Sequence, residues 1–75
     1  MLEPMSVLRS MEISSTSSKS FEDAIQQGIA RANQTFGVRS AWIKEEQMDV
    51  DNGRIVSYTV TLLISFLLED SSAPT

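Results

Sequence analysis

The chain reads as a small α+β domain of strand–helix–strand–strand order, with a three-stranded antiparallel sheet and one helix packed on one face. Three observations predict this. Asn52-Gly53 sits between two extended apolar-rich segments, the strongest short hairpin signal, because both turn positions need positive φ. Apolar residues from Phe21 to Phe36 recur at helical spacing. Val7, Arg9, Met11 and Ile13 alternate with Leu8, Ser10 and Glu12, as in a strand.

Residues 1–5 contain Pro4 and no periodicity, and are expected to form a flexible arm. The first strand is expected over Ser6 to Ser14. Ser14 to Ser20 follows, hydroxylic except for Lys19, and reads as a polar connection ending in an N-cap at Ser20. Asp23, three positions on, complements the helix dipole. Phe21, Ala24, Ile25, Ile29, Ala32 and Phe36 trace one helical face, so the helix is expected over Phe21 to Phe36. Gly28 lies within that face, where a missing side chain permits close helix–sheet approach. Gly37 is expected to stop the helix as a C′ residue. Val38 to Asp51 and Arg54 to Leu68 are the second and third strands. Glu69 to Thr75 is polar, with little to hold it. One domain is thus expected over 6–69, followed by a flexible tail at 70–75.

A two-residue turn predicts the pairs Val50–Ile55, Met48–Ser57, Trp42–Leu63 and Ser40–Ser65. Alternation then divides the sheet into two faces. One carries Val56, Tyr58, Val60, Leu62, Ile64, Phe66 and Leu68 with Ala41 and Ile43. The other is mixed and rich in hydroxyls: Ile55, Ser57, Thr59, Thr61, Leu63 and Ser65 with Ser40, Trp42, Lys44, Glu46 and Met48. The third strand would span roughly 50 Å, whereas the helix spans only about 24 Å. One helix cannot roof that apolar face, so part of it stays wet unless another copy covers it. Self-association follows from length alone.

Composition narrows the function. A net charge of −4 argues against nucleic acid. No apolar run reaches the roughly 18–20 residues of a membrane span, and no signal peptide is evident, so a cytoplasmic protein is expected. With no cysteine and no histidine there is no disulfide, no zinc site and no nucleophile–base pair, and no catalytic residue is assigned. Glu45 and Glu46 are adjacent in a strand and point to opposite faces, which rules out an acid–base pair. Asp49 to Gly53 does not fit the calcium-loop spacing, and no metal ligand is assigned, although acidic groups repeated about a symmetry axis could hold a cation.

"VLRSMEISSTS" (Val7 to Ser17), "SFEDAIQQGIARA" (Ser20 to Ala32) and "LISFLLED" (Leu63 to Asp70) together resemble the dodecin family over nearly the whole chain. The resemblance implies a hollow homododecamer that stores flavin (FMN or riboflavin) between subunits rather than turning it over. In that family a strand-two tryptophan stacks on the flavin ring and a strand-three glutamine bonds its polar edge. Those positions fall here on Ser40 and Thr59, both small hydroxyls, and the family's R-G pair on Gln47-Met48. Trp42 lies two residues beyond Ser40, on the same face and about 6.6 Å along the strand. The expected cofactor-binding residues are therefore Trp42, Ser40, Thr59 and Thr61. Two alternatives stay open: Trp42 packs against Leu63 and a neighbouring subunit, and the shell serves structurally or holds another solute such as a divalent cation.

Overall fold

The computed structural model describes the backbone from residue 6 to residue 70 and side chains from 7 to 67. The arm expected over 1–5 and the tail residues 71–75 lie outside the described residues. The element order is β1 (Ser6–Ser17), α1 (Phe21–Thr35), β2 (Val38–Asp51) and β3 (Arg54–Asp70). The sheet order is β1-β3-β2, antiparallel throughout, with the longest strand in the middle.

Two strand ends run past their expected limits. β1 continues beyond Ser14 because Ser15, Thr16 and Ser17 pair with Val60, Thr59 and Tyr58. Thr is a good strand former, and cross-strand hydroxyl pairs add to it. β3 continues past Leu68 to Asp70, where the start of β1 supplies partners: Val7 for Glu69 and Ser6 for Asp70.

The seam between β1 and α1 is fixed by polar bonds. The Ser20 hydroxyl accepts from the Asp23 amide at 2.9 Å, the expected N-cap. The buried Ser17 hydroxyl accepts from the Lys19 amide at 2.9 Å and donates to Asp23 Oδ2 at 2.6 Å. Gln27 donates to the same oxygen at 2.7 Å. The Ser17 bond foremost holds the Asp23 carboxyl below its ordinary range. Gln27 and the Lys19 charge assist, while partial desolvation works against them.

At its other end the helix stops at Thr35, one residue before the expected Phe36. Phe36 turns extended and stacks on Phe66, ring centroids 4.2 Å apart, while its amide still bonds the Ala32 carbonyl at 2.9 Å. Gly37 does not take the left-handed conformation expected of it. Instead the Asn33 side chain accepts from the Val38 amide at 3.0 Å and closes the end.

Ala24, Val60, Leu62 and Ile64 form the buried core, with Ile13, Phe21, Ile25 and Ile29 packed around it. Each of the three large β3 residues contributes about 1.5–3 kcal/mol by burial. Phe21 meets Tyr58 edge-on at 5.1 Å. Gly28 lets the helix descend: a Cβ there would sit 3.0 Å from Ser15 Cβ and 3.4 Å from Leu62 Cδ1.

The roof ends where the length argument says it must. The molecule is 59 Å long and 22 by 16 Å across. Beyond the helix the hairpin leaves Val50, Ile55 and Val56 exposed, Val50 to 61%, and along the edge strand β2 Ile43 and Met48 are exposed beside the helix. Its turn is as expected, with Asn52 at φ 53° and Gly53 at φ 75°.

The register differs from a simple ladder. Val50–Ile55, Trp42–Leu63 and Ser40–Ser65 pair as expected, but Met48 faces Tyr58 rather than Ser57. Val56 is an extra residue in β3 between the Val50 and Asp49 pairs, and Lys44 is an extra residue in β2 between Ile43 and Glu45. The two bulges cancel by Trp42, which is why the distant pairs are recovered. Between them the faces are redistributed. Glu46 and Met48 share a face with Val60 and Tyr58 on the helix side, not the mixed side. Ile55, paired with Val50, also lies on the helix side. Glu45, Gln47 and Asp49 take their places on the open face, opposite Thr61, Thr59 and Ser57.

Candidate functional site

The face away from the helix is a flat platform crossed by rows of side chains. The rows run Ser10–Ser65–Ser40, Glu12–Leu63–Trp42, Ser14–Thr61–Glu45 and Thr16–Thr59–Gln47. All four residues expected to bind a ligand lie on it: Ser40, Trp42, Thr59 and Thr61. Period-two alternation from β3 outward places them there, and the cancelling bulges leave Ser40 and Trp42 in their expected rows.

The hydroxyls are paired across strands. Ser40 Oγ lies 2.6 Å from Ser65 Oγ, Thr59 Oγ1 lies 2.9 Å from Thr16 Oγ1, and Thr61 Oγ1 lies 3.3 Å from Ser14 Oγ. A hydroxyl has one proton to give. In each pair one proton is used internally and the other remains for an acceptor outside the sheet. The platform thus carries three hydroxyl pairs, one between β2 and β3 and two between β1 and β3, each with a second proton and spare lone pairs.

Trp42 stands beside Leu63 with 57% of its surface exposed. In the single chain its ring is half covered at most, and the other half is available to a ligand or to a second subunit. The Lys44 ammonium reaches across the sheet to bond Glu12 Oε1 at 3.0 Å, so the bulge residue places a cation on the β1 end of the tryptophan row. The pair is half exposed at both ends and contributes little to stability. It does neutralise the carboxylate in the tryptophan row.

Three residues of this face were not legible in the sequence. Gln47 lies opposite Thr59, about 13 Å along β3 from the Trp42 row. Its amide adds donors and an acceptor within the reach of a flat ring laid along the platform. Glu45 lies opposite Thr61, and Asp49 accepts from the Ser57 hydroxyl at 2.7 Å. Only the bulge at Lys44 brings them here, and the run "KEEQ" carries no alternation that would reveal it.

Two clefts, of about 510 and 520 Å³, lie between β1 and α1 on the helix side, and neither touches Trp42. Among the described residues no three carboxylates converge to hold a metal ion within one chain. No described helix is long and apolar enough to cross a membrane.

No curated protein sequence matches the chain. Among solved structures, the dodecin from Streptomyces davaonensis is 29% identical over 85% of this chain and 96% of its own, with a TM-score of 0.80. A protein from Thermus thermophilus is 30% identical, over 87% of this chain and 97% of its own, with the same TM-score. A calcium dodecin from Mycobacterium tuberculosis, described as a calcium-chelating antigen with a novel calcium-binding site, is 33% identical. It covers 93% of this chain and 100% of its own, with a TM-score of 0.75. This likeness supports the expected assembly into a dodecamer. The family model described as Dodecin matches residues 7–69, from the second residue of β1 to the last but one of β3, and the chain belongs to the dodecin family.

Proposed function

We propose that this dodecin binds and stores a flavin, FMN or riboflavin, or a similarly flat heteroaromatic molecule, on the open face where copies meet. One observation carries the reading: a tryptophan more than half exposed at the middle of a flat, hydroxyl-lined platform. Aromatic stacking contributes about 0.5–1.5 kcal/mol beyond the area it buries, and an unliganded surface indole forgoes that. Trp42 would stack on the ring. Ser40, Thr59 and Thr61 would donate their outward protons to its carbonyl and nitrogen edge, and the Gln47 amide would extend that edge recognition. The flavin is cargo, and its own redox chemistry is not used by any acid or base of this chain.

Titrating FMN fluorescence with the protein tests this. Quenching at micromolar protein is expected, weakened by up to about ten-fold in Trp42→Ala if stacking contributes the upper value. Unchanged fluorescence with the assembled protein would remove the flavin reading.

A second reading has support of its own. The calcium dodecin is as similar to this chain as the others, and Glu45 and Asp49 stand on the same platform. A divalent cation bound between copies would use such carboxylates. Equilibrium dialysis against calcium, with Glu45→Gln as the control, separates the two cargoes.

A further inference from the structure

The platform carries charge as well as hydroxyls, and the charge is one-sided. Of the chain's six basic residues, Arg9 and Arg31 line the clefts on the helix side, and Lys19 lies in the β1–α1 turn. Arg54 pairs with Asp51 beside the hairpin turn, about 30 Å along β3 from the tryptophan row. Arg39 is the extra residue of β2 between Val38 and Ser40, beyond the Ser40 row. That leaves Lys44, whose ammonium is already bonded to Glu12 at 3.0 Å, the one ion pair among the described residues. Glu45 stands one row from Trp42, about 6.6 Å along the strands, outside that ion pair.

A flavin has its polar edge at one end of a long flat ring, and its side chain leaves from the middle, at right angles to the long axis. With the ring laid along the strands between Trp42 and Gln47, that side chain points across them. On the β1 side it meets a cation already neutralised by Glu12, and on the β2 side it meets Glu45. The hydroxyls of an uncharged ribityl chain can donate to either carboxylate. A phosphate ester carries about two negative charges at pH 7. It must break the Lys44–Glu12 pair and leave Glu12 bare, or lie against Glu45. Every further copy at the site brings the same net charge of −4.

We propose that the platform selects against phosphate and takes the uncharged flavin, riboflavin, ahead of FMN, with Glu45 and the Lys44–Glu12 pair as the residues that decide it. This rests on the flavin reading and narrows it to one member of the class. A carboxylate about 8 Å from a doubly charged phosphate weakens binding on the order of five-fold in water at low salt, and salt of about 1 M screens most of that away.

Parallel fluorescence titrations with riboflavin and with FMN test it, in potassium chloride at about 0.01 M and about 1 M. Riboflavin is expected to bind about five-fold more tightly at the lower salt, with the ratio falling towards one at the higher. Glu45→Gln should lower the ratio at low salt, Glu45→Asp should keep it, and Lys44→Met, which uncovers Glu12, should raise it. The ratio, unlike either affinity, does not move when a substitution only weakens the fold. If the parent quenches neither flavin, the flavin reading fails and this one with it. If the parent binds flavin but holds FMN as tightly as riboflavin at low salt, the selectivity is overturned while flavin binding stands. A ratio unchanged in Glu45→Gln overturns it equally.

Discussion

Gly28→Ala should destabilise this protein, although alanine is the better helix former. Alanine gains about 1 kcal/mol over glycine in an exposed helix interior. At position 28 the new methyl meets Ser15 Cβ at 3.0 Å, Ser15 Oγ at 3.3 Å and Leu62 Cδ1 at 3.4 Å. Ordinary carbon contacts lie at about 3.5–4.0 Å. Ser15 Cβ is fixed to the β1 backbone and cannot rotate aside, and Leu62 is only 1% exposed with nowhere to go. The helix must lift by about half an ångström. Overpacking of this kind costs about 1–3 kcal/mol. Against the propensity gain, the net loss is about 0–2 kcal/mol, with 1 as the central value. For a domain of this size that is a fall of several degrees in Tm, about 4–8 °C per kcal/mol. Thermal unfolding followed by circular dichroism measures it, at fixed protein concentration because assembly contributes to stability. Ser15→Gly in the same chain should recover part of the loss as a coupling energy. A stabilisation of about 1 kcal/mol in Gly28→Ala would show that helix and strand do not touch here, and the reason given for the glycine would fall.

Three further outcomes are expected. Asp23 has a folded pKa below its unfolded one, so its contribution is present above the unfolded carboxylate value of about 3.9 and is lost as pH falls through the folded value. Acid titrations of parent and Asp23→Asn should therefore begin to approach each other below about pH 4 and meet only once pH has fallen past the folded value; parallel curves would refute the Ser17–Asp23 bond as the cause. Gly53→Val forces a β-branched residue to φ 75° and should cost about 1–2 kcal/mol by urea unfolding, whereas Gly37→Ala, with open space about its Cβ, should change stability by less than that. Val50→Lys places a charge on the exposed tip and should lower the mass of the assembly while leaving the helical circular dichroism of the protomer intact; unaltered mass would mean that nothing covers this residue.

Much of this fold was legible because its signals are local and strong. Asn52-Gly53 places a turn that needs two left-handed residues, and the Phe21–Ala24–Ile25–Ile29–Ala32 stripe predicts which side of the helix meets the sheet. The length mismatch between a long strand and a short roof foretells the exposed hairpin without any coordinates. Other features depend on partners distant in sequence. Phe36 belongs to the helical stripe by spacing, yet it leaves the helix because Phe66 offers a stacked ring thirty positions on. Ser15 to Ser17 look like a loop until β3 supplies their ladder.

The bulges were the harder loss, and they bear directly on function. A bulge is decided by twist and by cross-strand pairs worth a fraction of a kcal/mol each, and the polar run Lys44 to Gln47 has no apolar alternation to betray a slip. One inserted residue at Lys44 moves Gln47 and Glu45 onto the platform and Glu46 and Met48 off it. The compensating bulge at Val56 returns the near end of the hairpin to register and turns Ile55 toward Val50. The same two irregularities therefore gather the apolar tip on the helix side and add an amide and a carboxylate to the open face. A straight ladder would have left both surfaces mixed. What separates an assembly surface from a ligand surface in this sheet is the placement of two extra residues, a choice made by the folded sheet as a whole.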